Sequence, residues 1–248
     1  ELRRDDVSVV SNPEFLREGS AVADFLKPDR VVIGSDDRAA ALDTAELYSS
    51  LNAPIMITDP ASAETIKYAS NAFLATKLSF INAVAAVCEA VGADVADVVT
   101  GMGYDTRIGR EFLRPGPGWG GSCFPKDTLA MVRIAADAGY DFGLLKGVVE
   151  VNDQQFDRVV DKIRRGVAGP LEGATVALWG LTFKARTDDL RDSPALEVAE
   201  RLSKAGAKVV AYAPTVAPGR SDPSLESVQV TATALEAVTG ADVLAVMT

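Results

Sequence analysis

The sequence predicts an α/β protein with a helical central region, part of a parallel α/β domain after it, and the tail of another α/β domain before it. Two observations lead to this fold class. Residues 61–91 contain neither glycine nor proline, which permits one helix of about thirty residues. After Gly169 and Pro170, strand-like apolar runs alternate with an amphipathic helical segment, which is typical of a parallel sheet with crossover helices.

The N-terminal segment offers two short β-branched runs, "VSVV" at 7–10 and "RVVIG" at 30–34. They are too little for a sheet of their own. The segment also lacks an initiator Met, so we expect it to be the remnant of a larger domain.

The long helix is predicted to start at Asp59, a suitable cap, and Pro60, a favoured first helical residue. Apolar residues recur along it at helical spacing in two adjoining stripes. One stripe is Phe73, Phe80, Val84, Val87 and Val91, and the other is Leu74, Leu78, Ile81, Ala85 and Cys88. A helix that is apolar on two sides commonly packs into a local bundle and against a second copy, so we expect a homodimer.

Shorter helices are predicted at "ADVADVVTG", "FPKDTLAMVRIAADAG" and "DQQFDRVVDKIRRGV", which makes the middle of the chain all-helical. The segments "ATVALWGL", "AKVVAYAP" and "ADVLAVMT" read as strands, and "SPALEVAERLSKAG" reads as a helix ended by Gly206. The last strand reaches Thr248 with nothing to cover it, so we expect a truncated domain. No G-x-G-x-x-G fingerprint follows a predicted strand, so we expect no complete dinucleotide site.

Composition restricts the setting and the chemistry. The formal net charge of −10 argues against nucleic acid and anionic membranes as partners. Two cysteines at 88 and 123 give neither a disulfide framework nor a metal-binding spacing, and no signal peptide or apolar stretch of membrane-spanning length is expected, so a cytoplasmic location fits best. The chain has no histidine, so proton transfer must use Glu, Asp, Lys, a thiol or water.

The segment "RPGPGWGGSCFPKDT" at 114–128 places Cys123 between a glycine pair and a predicted helix start at Pro125. The positive end of that helix and Lys126 would both favour the thiolate, as a nucleophilic cysteine requires. A small buried residue in a glycine turn is an equally good interpretation on spacing alone.

Several charged residues have two interpretations each. Lys67 and Asn71 share a helix face and could stabilise an oxyanion, or could form a solvated surface. Glu14 and Glu18 could be a general base and a binding group, or merely the start of a helix after Pro13. Candidate anion contacts, which could equally be ordinary surface residues, are Arg107, Lys184 and Arg191. Cys88 is expected in the core.

Six segments in this order resemble the UDP-glucose/GDP-mannose dehydrogenase family, and more closely its UDP-glucose 6-dehydrogenases. They are "NPEFLREG", "KYASNAFLATKLSFINAV", "YDTRIG", "GGSCFPKD", "VND" and "GLTFKARTDDLRDSPAL". The resemblance implies three parts: residues 1–58 as the end of an NAD-binding Rossmann domain, 59–168 as a helical central domain with the catalytic cysteine, and 169–248 as part of a UDP-binding Rossmann-like domain. It also implies a dimer formed through the long helix.

The resemblance implies oxidation of UDP-glucose to UDP-glucuronate with two molecules of NAD. Cys123 matches the family's nucleophile, which forms a thiohemiacetal and then a thioester. Lys67 and Asn71 match the pair that stabilises the oxyanion, Glu14 the carboxylate that activates water, and Asp127 the one that positions it. The substrate-holding positions match Glu18, Phe112, Arg107, Gly120 and Lys184, with Arg107 reaching the partner subunit's site. The NAD contacts match Lys126 and Arg191.

Two alternatives remain open from the sequence. A GDP-mannose 6-dehydrogenase, or another nucleotide-sugar 6-dehydrogenase, shares the thiol, lysine and asparagine. A non-catalytic nucleotide-binding or dimerisation module could have inherited the fold, although it would be expected to have lost some of the four residues Cys123, Lys67, Asn71 and Asp127. Because the glycine fingerprint is missing, the chain alone is expected to be inactive.

Overall fold

A computed structural model describes residues 7–248, and the chain divides into two compact units, Glu1–Asn71 and Ala72–Thr248. The first unit contains helices α1 (Ala21–Leu26) and α2 (Arg38–Glu46), strands β1 (Val31–Gly34) and β2 (Ile55–Thr58), and the start of the long helix α3 (Pro60–Val91). Strands β1 and β2 pair in parallel, with Val31 opposite Ile55. The small core of this unit is Val31, Ile33 and Ala41, with Val10, Ala45 and Tyr48 packed against it.

The two N-terminal β-branched runs behave differently from each other. The run "RVVIG" forms β1, whereas residues 7–10 form no strand and the next residue, Ser11, makes only an isolated bridge to Gly34. The partner of β1 is instead the segment at 55–58, which the sequence analysis did not single out, so a two-stranded sheet exists where none was expected. The glycine at position 34 lets the end of β1 pack closely against the start of α3, since a Cβ on Gly34 would lie 2.5 Å from the Cβ of Ala63.

Helix α3 confirms the predicted long helix at both ends and spans 32 residues. The Asp59 carboxylate accepts a hydrogen bond from the Ser62 backbone N–H at 2.8 Å, which satisfies one of the free donors of the first turn. The two apolar stripes differ in burial. Ile81 and Cys88 are buried, whereas four residues of the other stripe are 52–71% exposed: Phe73, Phe80, Val87 and Val91.

Within the described residues 7–248, α3 is the one helix that is long and apolar enough to cross a membrane by length and composition. The expectation that no such stretch exists is therefore wrong. Its buried polar residues make tertiary contacts: the Ser79 hydroxyl donates to the carbonyl of Val148, and the side chain of Asn82 accepts from the N–H of Gly116. These bonds attach one side of α3 to the segments at 116 and 148, although only 28% of its most apolar window is buried.

The second unit begins with the rest of α3 and continues with α4 (Val95–Gly103), α5 (Phe124–Asp137) and α6 (Gly143–Gly166). The all-helical middle is thus confirmed, although α6 starts ten residues before the predicted segment. Asp94 caps α4 by accepting the N–H of Ala96 at 2.7 Å. The core between these helices is built from Ala72, Ala75, Trp119, Leu145 and Val148.

The C-terminal part is a four-stranded parallel sheet in the order β5-β4-β3-β6. Its strands are β3 (Thr175–Trp179), β4 (Lys208–Tyr212), β5 (Gln229–Val230) and β6 (Val243–Val246), and its helices are α7 (Pro194–Lys204) and α8 (Ala234–Val238). The predicted alternation is confirmed. Strand β5 and helix α8 were not predicted, because two and five residues are too few to show a period. Parallel sheets with helices make the protein a mixed α/β fold.

Candidate functional site

The "NPEF" segment contacts β1 through Asn12 and contacts α3 through the side chains of Glu14 and Phe15. Asn12 donates its amide N–H to the carbonyl of Val32 at 2.7 Å. The ring of Phe15 lies under two cations, with the Arg30 guanidinium carbon 3.6 Å and the Lys67 Nζ 5.5 Å from its centroid. Asn12 and Phe15 had not been assigned any role in the sequence analysis, although both lie in a quoted motif.

Glu14 and Lys67, 53 positions apart in the sequence, form an ion pair. The Lys67 Nζ donates to the Glu14 carboxylate at 2.8 Å and to its backbone carbonyl at 2.6 Å. The lysine side chain is 16% exposed and the glutamate side chain 54% exposed. The alternative interpretation of a helix starting after Pro13 is wrong, because the first helix begins only at Ala21.

Asn71 follows Lys67 by one turn of α3 and is buried, with 8% exposure. This face of the helix is therefore no solvated surface, contrary to that alternative. A buried amide carries both a donor and an acceptor, which suits it to binding a polar group. Glu18, the second carboxylate of the motif, is half-buried.

Cys123 stands at the N-cap position of α5, as the sequence predicted, with Pro125 in the first turn. The backbone N–H of Asp127 donates to the Cys123 carbonyl at 2.9 Å, which closes that turn. The thiol is half-buried, its sulfur lies 3.5 Å from the Ser122 hydroxyl, and it lies beside the positive end of the helix dipole. Cys88 is buried, as expected for a core residue.

Asp127 is almost completely buried, with 1% exposure, and pairs with its neighbour in the chain. The Lys126 Nζ donates to the Asp127 carboxylate at 2.6 Å, while the lysine side chain itself is 71% exposed. Removing a carboxylate from water is costly unless a cation or hydrogen bonds compensate it. Lys126 supplies such a partner here.

The glycine pair before Cys123 packs closely against the loop between β3 and α7. A Cβ on Gly120 would lie 1.7 Å from the carbonyl oxygen of Asp192, and one on Gly121 would lie 2.7 Å from the ring of Phe183. Gly121 has φ +80° and donates its N–H to the Arg191 carbonyl at 3.1 Å. Close packing is therefore sufficient to explain both glycines, and a contact of Gly120 with substrate stays a prediction.

The β3–α7 loop also carries two predicted ligand contacts. Arg191 forms a two-pronged pair with the carboxylate of Asp189, at 2.9 and 2.7 Å, and its side chain is 66% exposed. Lys184 is half-buried, with its Nζ 5.5 Å from the centroid of the Phe183 ring. Both cations thus lie on one loop, and Arg191 is already paired with a carboxylate of that loop.

Arg107 and Phe112 lie in the segment between α4 and α5. Arg107 is exposed and its guanidinium bonds to Asp105, which lowers the pKa of that carboxyl and raises the pKa of Arg107. Phe112 has φ +60°, a conformation that costs free energy for a bulky residue and that occurs preferentially at functional sites. Within residues 7–248, no group of three or more Cys, Asp or Glu side chains could hold a metal ion.

Models of one protein family match the chain in three successive parts. They are those of the UDP-glucose/GDP-mannose dehydrogenase family: the NAD binding domain at residues 1–52, the central domain at 61–154 and the UDP binding domain at 177–248.

Curated relatives and solved structures give the same similarity. The chain is 49% identical to the UDP-glucose 6-dehydrogenase YwqF of Bacillus subtilis, over 98% of this chain and 55% of the relative. It is 51% identical to TuaD, another UDP-glucose 6-dehydrogenase of that organism, over 88% of this chain and 47% of the relative. The structure of a UDP-glucose dehydrogenase from Pyrobaculum islandicum matches 96% of this chain and 56% of its own, with 40% identity and a TM-score of 0.89. The chain thus spans about half the length of the curated relatives it matches.

Proposed function

The chain belongs to the UDP-glucose/GDP-mannose dehydrogenase family, and we propose that its full-length protein oxidises the C6 alcohol of UDP-glucose to the carboxylate of UDP-glucuronate. The observation that carries the proposal is Cys123 at the N-terminus of α5, in a chain similar along 98% of its length to a UDP-glucose 6-dehydrogenase. The three-part division at 58/59 and 168/169 belongs to the same proposal.

UDP-glucose is preferred over other nucleotide sugars on the strength of the relatives. Two relatives that are named UDP-glucose 6-dehydrogenases are 49% and 51% identical to the chain. The structure of a UDP-D-ManNAc dehydrogenase from Pyrococcus horikoshii is 26% identical, with a TM-score of 0.83. The fold is common to both, so the difference in identity is what favours UDP-glucose.

Cys123 is the proposed nucleophile of the second oxidation. An aldehyde cannot release a second hydride until a group has added to its carbonyl carbon. The sulfur of Cys123 would form a thiohemiacetal, loss of hydride would leave a thioester, and water would release the acid. Its half-buried position at a helix N-terminus suits this role, whereas Cys88 is buried in the core.

The proposed roles of the surrounding charged groups follow the family resemblance. Lys67 and Asn71 would donate to the oxyanion of each adduct, Glu14 would take the proton of the attacking water, and Asp127 would orient that water. Two geometric features support these assignments: Glu14 and Lys67 contact each other directly, and Asn71 is buried one helical turn after Lys67 on the same face of α3. The absence of histidine is no obstacle to this set.

The remaining contacts concern substrate and NAD. The substrate contacts are proposed for Glu18, Phe112, Arg107, Gly120 and Lys184, and the NAD contacts for Lys126 and Arg191. NAD would supply the hydride acceptor. The two cations fit contacts to its phosphates, but no strand of residues 7–248 is followed by a glycine-rich phosphate-binding turn, so this chain holds only part of that site.

A cytoplasmic homodimer completes the proposal. The exposed stripe of Phe73, Phe80, Val87 and Val91 on α3 is an apolar surface of the kind that subunit interfaces cover. Arg107 would then reach the site of the partner subunit, for which its 86% exposed side chain is suited.

The test is the divided reaction of the full-length protein with Cys123→Ala. Acid formation should be lost, because only the second oxidation needs a covalent adduct, whereas reduction of the 6-aldehyde by NADH should be partly retained. Cys88→Ala, which removes the buried thiol, serves as the matched control. Acid formation by Cys123→Ala near the rate of the unchanged protein would contradict the thioester mechanism.

A further inference from the structure

Residues 114–122, which we call the nucleophile loop, lead directly into Cys123. The loop reads "RPGPGWGGS", with four glycines in nine residues. Glycine has the least intrinsic conformational preference of any residue, so a glycine-rich loop takes a single shape only where partners impose it. The placement of the thiol therefore depends on what holds this loop.

Trp119, in the middle of the loop, is bound through both of its backbone groups by one side chain of α6. Its N–H donates to the Asn152 side-chain oxygen at 2.8 Å, and its carbonyl accepts from the Asn152 amide N–H at 3.0 Å. Asn152 is buried, with 7% exposure. The Trp119 indole N–H donates to Ser79 of α3 at 2.8 Å.

Gly116, three residues earlier, is bound in the same way by two helices. Its N–H donates to Asn82 of α3 at 2.8 Å, and its carbonyl accepts from Gln155 of α6 at 2.8 Å. Between these anchors, Gly118 has φ +128°, and a Cβ on it would lie 2.5 Å from the ring of Phe156. The loop thus follows α6 from residue 116 to residue 119.

Asn152 belongs to the "VND" motif, which the chemistry of the proposed reaction does not use. The next residue of the motif, Asp153, accepts a hydrogen bond from Arg201 of α7 at 2.5 Å. One turn of α6 therefore holds the nucleophile loop through Asn152 and the sheet part of the unit through Asp153. The nucleophile loop also contacts the sheet part of the unit directly, because the Gly121 N–H donates to the Arg191 carbonyl.

We infer that Asn152 and Gln155 are positioning residues, which fix the nucleophile loop on α6 and thereby set the position of the Cys123 sulfur. The inference rests on the proposed role of Cys123 as the nucleophile. Asn152 should contribute more to this positioning than Gln155. Loss of the Asn152 side chain would leave the buried backbone N–H and carbonyl of Trp119 without these partners, whereas Gln155 is half-buried and makes one bond to the loop.

The experiment compares Asn152→Asp, Gln155→Ala and the control Gln154→Ala in the full-length protein. Asn152→Asp keeps the shape and the acceptor of the side chain but loses its donor to Trp119. Gln154 is the neighbour of Gln155 on α6, is exposed, and bonds only to the Glu150 side chain among the described residues. Two readouts are used: the alkylation rate of Cys123 by peptide mass spectrometry, and the ratio of acid formation to reduction of the 6-aldehyde.

A loosened loop should expose the thiol and misplace it. We expect alkylation of Cys123 to accelerate about tenfold in Asn152→Asp and about threefold in Gln155→Ala, with the rate ratio falling by similar factors. Gln154→Ala should change neither. A purely structural role would lower both enzymatic rates in proportion and leave their ratio unchanged.

The outcomes distinguish the positioning role of Asn152 and Gln155 from the proposed nucleophilic role of Cys123. If alkylation and the rate ratio stay unchanged in Gln155→Ala and in folded Asn152→Asp, the positioning role is wrong. Should Asn152→Asp fail to fold, Gln155→Ala against Gln154→Ala decides the matter. If Cys123→Ala still forms the acid, the proposed chemistry fails, while the alkylation rates still show whether α6 holds the loop.

Discussion

Replacing Gly120 with alanine would place a methyl group against the backbone of the β3–α7 loop. The new carbon would lie 1.7 Å from the Asp192 carbonyl oxygen and 3.1 Å from the Cδ of Pro194. It has to move by about 1.7 Å to reach 3.4 Å, where ordinary contact begins. The obstacle is backbone, so no side-chain rotation can relieve it.

The cost has two parts. Forcing an extra methyl group into a filled site costs about 1–3 kcal/mol or more. Moving the two segments apart also breaks the bond from Gly121 to Arg191, which contributes about 1 kcal/mol. We therefore expect Gly120→Ala to lower the free energy of unfolding by about 3 kcal/mol and the melting temperature by about 6–12 °C.

Thermal and urea unfolding followed by circular dichroism measure the change. Gly116→Ala is the matched control in the same loop, because a Cβ there would have no atom within 4 Å, and its effect should stay within about 0.5 kcal/mol. Equal stability of the two variants would refute the reasoning that close packing against Asp192 requires a glycine at position 120.

Four further predictions concern the reactivity of the cysteines, NADH formation, dimerisation and the cap of α3. In folded protein, an alkylating agent should label half-buried Cys123 and leave buried Cys88 unlabelled by mass spectrometry, and equal labelling would argue against the nucleophile assignment. The chain of 248 residues alone should form no NADH from UDP-glucose, since it lacks the glycine turn that orients the nicotinamide; robust NADH formation would overturn this prediction. Light scattering should show that the chain is a dimer and that Phe80→Asp is a monomer. A monomeric unchanged chain would contradict the proposed interface. Hydrogen bonds from Ser62 lower the pKa of Asp59 in the folded chain. The stabilisation by the ionised carboxylate is therefore complete above the unfolded pKa of about 3.9 and is lost as the pH falls through the lower folded pKa. The free energy of unfolding should depend less on pH between about pH 5 and pH 2 in Asp59→Asn than in the unchanged chain, and identical pH profiles would contradict this.

The elements that the sequence determined are those whose signals lie within a few neighbouring residues. Asp59, Pro60 and Gly92 delimit α3 because caps and helix breakers act within one turn. The strands at 175–179 and 208–212 were identifiable as continuous apolar runs, and Cys123 was placed at a helix start by the proline two residues on. Such local preferences do not depend on the rest of the chain.

Tertiary structure alone decided which distant residues meet. Glu14 and Lys67 pair across 53 positions, and β1 takes its partner from 55–58. One apolar stripe of α3 is buried at Ile81 and Cys88, whereas most of the other stripe is exposed. The sequence showed that Gly120 and Asn152 lie in motifs but not that one faces the Asp192 carbonyl and the other the backbone of Trp119. The physical reason is that local sequence patterns indicate which groups can be buried. Only the folded chain determines which buried polar groups become hydrogen-bond or ion-pair partners of each other.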